Sequence, residues 1–93
     1  MKTKVIFRKF HTGEVVALFP ELPGTNDVAT CLSYVHVGQH GATSVYLTRH
    51  TALATKAESA ELARELRRIG YKLREVKRFT RKDYETRKKS LID

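Results

Sequence analysis

The helix on which the fold class depends is encoded by the stretch Thr55-Lys-Ala-Glu-Ser-Ala-Glu-Leu-Ala-Arg-Glu-Leu-Arg-Arg-Ile-Gly70. Thr55 and Glu58 have the spacing of a capping box, in which each side chain accepts a hydrogen bond from the other residue's backbone N–H. Leu62, Leu66 and Ile69 recur every three to four residues, and they predict a narrow apolar stripe on a helix over 56–69. The final glycine is the residue type that often follows a helix end. Such a stripe needs an apolar surface, and the rest of the chain predicts a sheet.

The segment before this helix predicts a β-hairpin. Residues 4–10 and 15–19 are rich in β-branched and aromatic side chains, and a short connection containing Gly13 joins them. Pro20 predicts the end of the second strand, because proline cannot donate a hydrogen bond to a ladder. Residues 21–27 then predict a polar loop.

Three further strands are predicted. Residues 28–37 form one, residues 38–41 a glycine turn, and residues 44–48 a fourth strand. Because successive side chains of a strand alternate between its faces, Tyr34 and His36 share one face and Cys31 lies on the other. Residues 71–79 predict a last strand, whose lysines and arginines are typical of a sheet edge.

The order β-β-β-β-α-β predicts an α+β fold, in which one helix packs on a face of an antiparallel sheet of four to five strands. Ninety-three residues suit a single domain, which we place at residues 1–79. Residues 80–93 are predicted to form a basic C-terminal helix or tail. Since that segment has few apolar residues, it is interpreted as a loosely docked appendage or as a segment that orders on binding.

The charge of the chain is strongly positive and unevenly distributed. The net charge is +8, and residues 53–93 hold thirteen lysines and arginines against seven acidic residues. Clustered cations favour a polyanionic partner such as nucleic acid, because binding releases counterions from the phosphates. The alternative is a solvated surface that only keeps the protein in solution. The predicted phosphate contacts are Arg74, Lys77, Arg78, Arg81 and Lys82, and no base-reading motif accompanies them.

Cysteine content and hydropathy favour a cytoplasmic protein. Cys31 is the only cysteine, so no intrachain disulfide can form, and small secreted domains usually depend on disulfides. The N-terminal residues lack the apolar region of a secretory signal, and no stretch approaches the roughly 20 apolar residues of a membrane span. We therefore predict no membrane partner.

The residues between Cys31 and Gly41 carry most of the chain's potential for chemistry. Tyr34, His36, Gln39 and His40 are the candidate ligand-binding residues, against the alternative that they are packed or turn residues. The spacing of His36 and His40 suits two metal ligands on a helix but not on a strand that enters a turn, so no metal or other cofactor is predicted. Cys31 is interpreted as a buried structural residue, and no catalytic residue is assigned.

The pattern Cys-x-Ser-Tyr-x-His-x-Gly-Gln-His-Gly at 31–41 also carries a resemblance. Together with Val-Ala-Leu-Phe-Pro-Glu at 16–21 and Ile-Gly-Tyr-Lys-Leu at 69–73, it resembles a group of small uncharacterised bacterial proteins. The resemblance covers residues 3–79 and leaves the basic C-terminal segment outside. No activity is attached to the group, so the resemblance implies a shared fold and no catalytic residues.

The predicted function is a nucleic-acid-binding accessory module with weak sequence specificity. Two alternatives stay open at this point. One is an enzyme or small-ligand site built around residues 31–41, although the pattern favours a protein that is not an enzyme. The other is a protein-interaction or self-associating module, in which an exposed strand edge pairs with a partner. The sequence leaves the oligomeric state undetermined.

Overall fold

The first two strands form the predicted hairpin at the centre of one sheet. In the computed structural model, β1 is Thr3–Lys9, β2 is Val15–Pro23, β3 is Thr30–Val35, β4 is Gln39–Ser44, β5 is Ala52–Leu53 and β6 is Leu73–Glu75. The helices are α1, Lys56–Arg68, and α2, Arg81–Ile92, and a 3₁₀ turn covers Val45–Arg49. The structure describes residues 2–36 and 38–92, so Val37, predicted as the last residue of a strand, and the two terminal residues lie outside the described residues.

The sheet has the strand order β4-β3-β2-β1-β5, and each neighbouring pair along this path is antiparallel. β6 pairs with β1 in parallel, beside the half of β1 that β5 leaves free. The predicted α+β class is confirmed. The predicted last strand over 71–79 was too long, because the chain leaves the sheet edge after Val76, whose N–H donates to the Val5 carbonyl.

The fourth strand lies earlier in the chain than predicted. β4 pairs with β3 so that Gln39 faces Val35, and the connecting turn uses Gly38 at φ +85°. Gly41, predicted in the turn, therefore lies inside β4 opposite Ser33. Residues 45–49 form the 3₁₀ turn instead of a strand, because the Ser44 side chain accepts from the Tyr46 N–H and caps that turn.

The second strand also differs from the prediction, since β2 continues through Pro20 to Pro23. The register between β2 and β3 shifts between Phe19 and Pro23, so the proline sits at an irregularity of the ladder. Pro20 is buried there, and its carbonyl oxygen accepts a hydrogen bond from the Arg87 side chain. β2 continues past Pro20 because the N–H that proline lacks is not needed where the β2–β3 ladder is already interrupted.

One face of the sheet is covered by α1. The predicted capping box is present, with Thr55 and Glu58 accepting from each other's backbone N–H. Leu62 and Leu66 are buried against β1 and β2, together with Phe7 and Phe19. Ile69 is the exception to the predicted stripe, because it caps the helix C-terminus and is half exposed.

The other face is covered by the 3₁₀ turn and α2, and Cys31 lies in this second core with Ile6 and Leu18. α2 is anchored by polar side chains instead of apolar ones. Asp83 and Arg87 are both buried, and the Lys4 ammonium donates to Asp83 across 2.9 Å. The prediction of a loosely docked segment was therefore wrong, because this helix is held by buried polar contacts that an apolar periodicity does not reveal.

None of the helices in the described part of the chain has the length and apolar content needed to cross a membrane.

Candidate functional site

A basic cleft lies where the end of β1 meets the 3₁₀ turn and the connection from β6 to α2. It consists of two cavities, of about 380 and 420 Å³, that share Arg49 in their walls. Of the lining residues that the structure describes, none is Asp or Glu, and the cations are Arg8, Lys9, Arg49, Lys77 and Arg78. We call this surface the basic cleft, and its lining also includes Tyr46, Phe79 and two histidines, His11 and His50.

Arg8 shapes the cleft. Its Nε donates to Thr51 Oγ1 across 3.0 Å, and one terminal nitrogen donates to the Thr48 carbonyl across 2.8 Å and to the Thr51 carbonyl. Burial lowers the pKa of Arg8 from its ordinary value, but an arginine stays charged at any physiological pH. These bonds fix residues 48–51 to β1, so Arg8 holds the wall from which Arg49 projects.

Three cations of the basic cleft remain open to solvent. Arg49, Lys77 and Arg78 are exposed, and within the described residues none of them lies within 4 Å of a carboxylate. Lys9 differs, because it forms an ion pair with Glu58 and lowers the pKa of that carboxyl group to about 2. A ligand anion would therefore meet three cations that form no ion pair with a described carboxylate.

The cleft also presents aromatic surface. Tyr46 is 53% exposed, and the Arg49 guanidinium lies 4.8 Å from the centre of its ring. This cation–π contact orients Arg49 toward the cleft. Phe79 lines the same cavity, and it is fixed by the second core and by the Arg87 guanidinium 5.6 Å from its ring.

The structure separates the five predicted phosphate contacts. Lys77 and Arg78 line the basic cleft, whereas Arg74 lies on β6 opposite Lys4 of β1. Arg81 and Lys82 lie in the first turn of α2, where Arg81 pairs with Glu85 at 3.6 Å. The predicted set is therefore spread over three elements, and two of its members meet at one cavity.

Three of the four predicted ligand residues, Tyr34, His36 and His40, contact α1 or the segment that follows it. The Tyr34 hydroxyl donates to Glu65 across 2.6 Å, and His36 Nδ1 lies 3.4 Å from the other oxygen of the same carboxylate. His40 Nε2 is hydrogen-bonded to the Tyr71 hydroxyl at 2.8 Å. We call this set the Tyr–His–Glu network. It links the hairpin to α1 and the segment that follows it.

The polar side chains of the Tyr–His–Glu network bond to one another. The hydrogen bond to Glu65 raises the pKa of Tyr34, and burial raises the pKa of Tyr71, so both phenols stay protonated at neutral pH. Gln39 lies apart, exposed at the first position of β4. These contacts are those expected of a structural cross-link, and a ligand-binding role for the four predicted residues stays a prediction.

Cys31 lies on the opposite face of the sheet from Tyr34, as strand alternation predicts. Its side chain is fully buried, and burial raises the pKa of the thiol to about 11 against the opposing effect of the Arg87 charge. A thiol with such a pKa is a poor nucleophile at neutral pH. Across residues 2–36 and 38–92, no group of three or more His, Cys, Asp or Glu side chains could hold a metal ion.

Sequence reasoning missed Arg8, Arg49 and Tyr46 as members of the cleft. They are separated by up to 41 positions, and they meet only because β5 pairs with the end of β1. The pattern also did not indicate Glu65 and Tyr71 as members of the Tyr–His–Glu network, because they reach the hairpin only when α1 packs on the sheet. For Arg8 the sequence did offer a signal. This residue directly follows Phe7 in β1, so strand alternation places its side chain on the opposite face of the sheet.

Comparisons with protein-family models, with curated proteins and with solved structures return no significant match for this chain, so the resemblance to a group of bacterial proteins stays a prediction.

Proposed function

We propose that this protein binds nucleic acid through the basic cleft, with Arg49, Lys77 and Arg78 contacting phosphates. The observation that carries the proposal is that the cleft's walls contain five lysines and arginines and no acidic residue among the described lining. Phosphate binding by such a surface is driven largely by counterion release.

The charge elsewhere on the molecule is more balanced, which favours the cleft over the other basic surfaces. The cations of α1 are interspersed with Glu58, Glu61 and Glu65, and Glu85 lies among the cations of α2. A cavity of about 350 Å³ on α2 contains Glu85 in its lining. The basic cleft therefore presents a positive potential to a phosphate chain, and none of its described lining residues is acidic.

Tyr46 favours single-stranded over duplex nucleic acid as the ligand. Its ring is half exposed in a cavity that also contains Phe79, and a base of any sequence can stack on such a ring. Duplex bases are already stacked and offer no free face. Because the contacts are with phosphates and base faces, we expect weak sequence specificity in a cytoplasmic accessory protein.

The test is fluorescence anisotropy with labelled random single-stranded and duplex oligonucleotides at about 50 mM salt. The cleft variant carries Arg49→Ala, Lys77→Ala and Arg78→Ala. We expect it to bind at least tenfold more weakly than the unmodified protein, because three phosphate contacts are lost.

The matched control is Arg64→Ala, Arg67→Ala and Arg68→Ala on exposed positions of α1, which removes the same charge from the other face. Equal weakening by both triple variants would mean that only net charge matters, and the cleft assignment would be wrong. Absent or salt-independent binding by the unmodified protein would overturn the proposal itself.

A further inference from the structure

The outer edge of β4 is open. β4 is the terminal strand of the sheet, and its only ladder in the described part of the chain is with β3. An open edge presents unpaired N–H and C=O groups, which form a template for another strand. The opposite margin differs, because β5 and β6 both cover the outer side of β1.

The hydrogen-bonding pattern between β3 and β4 shows which residues of β4 direct their backbone N–H and C=O groups away from β3. The Val45 N–H donates to the Ala29 carbonyl, which continues the register in which Thr43 faces Cys31 and Gly41 faces Ser33. Hydrogen-bonded pairs alternate with non-bonded pairs in an antiparallel ladder. The backbone groups of His40, Ala42 and Ser44 therefore point away from the sheet.

The β4 edge lacks the features that normally block edge pairing. The strand Gln39–Ser44 contains no proline and no charged residue, and its central side chains are small. Residues 28–48 contain no Asp, Glu, Lys or Arg at all, in a chain whose charged residues make up 30%. Edge strands are usually protected by charge, proline or a bulge.

We propose that β4 pairs with β4 of a second copy of this chain, in antiparallel orientation about a two-fold axis at Ala42. Ala42 then faces Ala42 of the second copy, and His40 faces Ser44 of the second copy. The three outward residues of each strand would form about six hydrogen bonds in total. The result is one continuous sheet across both copies.

Charge argues for a second copy as the occupant. Two molecules of net charge +8 repel each other, and the uncharged β3–β4 hairpin is a surface where they can approach. The basic cleft begins at β1, three strand spacings or about 14 Å from β4. That distance exceeds the Debye length of about 8 Å at physiological salt, so the clefts would be screened from each other. A charged foreign segment would gain no ion pair at this uncharged edge, whereas a second β4 brings no charge to it.

Light scattering coupled to size exclusion, run over a range of concentrations, tests this pairing. The unmodified protein is expected to shift from 10.7 kDa toward twice that mass as its concentration rises. Ala42→Lys should abolish the shift, because it places like charges opposite each other across the axis. Ala42→Pro should also abolish it without adding charge, because proline removes an outward N–H.

The matched control is Ala57→Lys, the same substitution at an exposed position of α1. It should dimerise as the unmodified protein does, and circular dichroism checks that every variant keeps its fold. A monomer at all concentrations would overturn the proposal. So would a dimer that Ala42→Lys leaves unchanged, since the copies would then meet elsewhere. Neither result bears on nucleic-acid binding, which is measured separately.

Discussion

The β3–β4 hairpin with its 3₁₀ turn and the remainder of the chain differ in the charge that they carry. Residues 28–48 contain no Asp, Glu, Lys or Arg, and the hairpin includes hydrogen bonds between uncharged side chains, such as the one that the Thr43 hydroxyl donates to Ser33 across 2.8 Å. In the remainder, charged groups build the structure: Arg87 donates from a buried site to the Pro20 and Val28 carbonyls. Charge is therefore segregated in this protein: the sheet margin at β4 is uncharged and open, whereas the margin at β1 is covered by β5 and β6 and borders the basic cleft.

The strongest effect that we predict concerns Cys31, the buried cysteine of the β3–β4 hairpin. Because the pKa of Cys31 is raised to about 11 and its side chain is buried, native Cys31 should react with a thiol reagent at pH 8 at least about 100-fold more slowly than an exposed cysteine. The measurement is the labelling rate with Ellman's reagent. The reference is Ala57→Cys, whose new thiol lies on the exposed side of α1.

Comparable labelling rates for Cys31 and the reference cysteine would contradict the burial of this face. They would also reopen the interpretation of Cys31 as a nucleophile. Full labelling of Cys31 in urea confirms that the reagent itself is not limiting.

The next effect tests whether charge stabilises the remainder of the chain. Asp83→Asn should lower the free energy of unfolding at pH 7 by about 2 kcal/mol, because Lys4 loses its buried partner and the Thr80 cap of α2 is weakened. Urea denaturation measures this change. Glu85→Gln, an exposed position on the same helix, should change it by less than about 0.5 kcal/mol.

Asp83 also predicts an acid dependence. Burial opposes ionisation, but the bonds from Lys4 and Thr80 outweigh it and lower the pKa of Asp83 below its ordinary value. The stabilisation is therefore present above the unfolded pKa of about 3.9 and is lost as the pH falls through the lower folded pKa. Unmodified protein and Asp83→Asn should converge in stability below pH 4. A constant difference down to pH 2 would contradict the ion pair.

The smallest expected effect tests the aromatic wall of the basic cleft. Tyr46→Ala should weaken binding of a single-stranded oligonucleotide by about 1 kcal/mol, or roughly fivefold, because one stacking surface is lost. Anisotropy titrations measure it, and Tyr84→Ala on α2 removes a comparably exposed tyrosine outside the cleft. An equal loss for duplex and single strand would show that Tyr46 does not stack on bases.

Local patterns predicted what local contacts determine. The capping box at Thr55 and the apolar positions Leu62 and Leu66 placed α1, because a helix is held together by contacts three to four residues apart. Strand alternation placed Cys31 and Tyr34 on opposite faces for the same reason. The prediction of a strand over 44–48 was wrong. The alternation of Val45 and Leu47 fits a strand, but the cap at Ser44 starts a 3₁₀ turn.

Features that depend on distant pairing could not be predicted. Arg8 and Arg49 meet Lys77 only after β5 and β6 have both joined β1. On α2, Asp83 and Arg87 are polar residues four positions apart, which on their own indicate a solvated surface. Their burial depends on Lys4 and on the Pro20 carbonyl, which lie 79 and 67 positions away in the chain.

The salt dependence of binding tests the role of the basic cleft most directly. For a single-stranded oligonucleotide, the slope of log K against log salt should be shallower by about 2 in the cleft variant than in the unmodified protein, since each lost phosphate contact removes about 0.7. The α1 control variant should keep the slope of the unmodified protein. Identical slopes for the unmodified protein and the cleft variant would show that Arg49, Lys77 and Arg78 contact no phosphate, and the basic cleft would not be the binding surface.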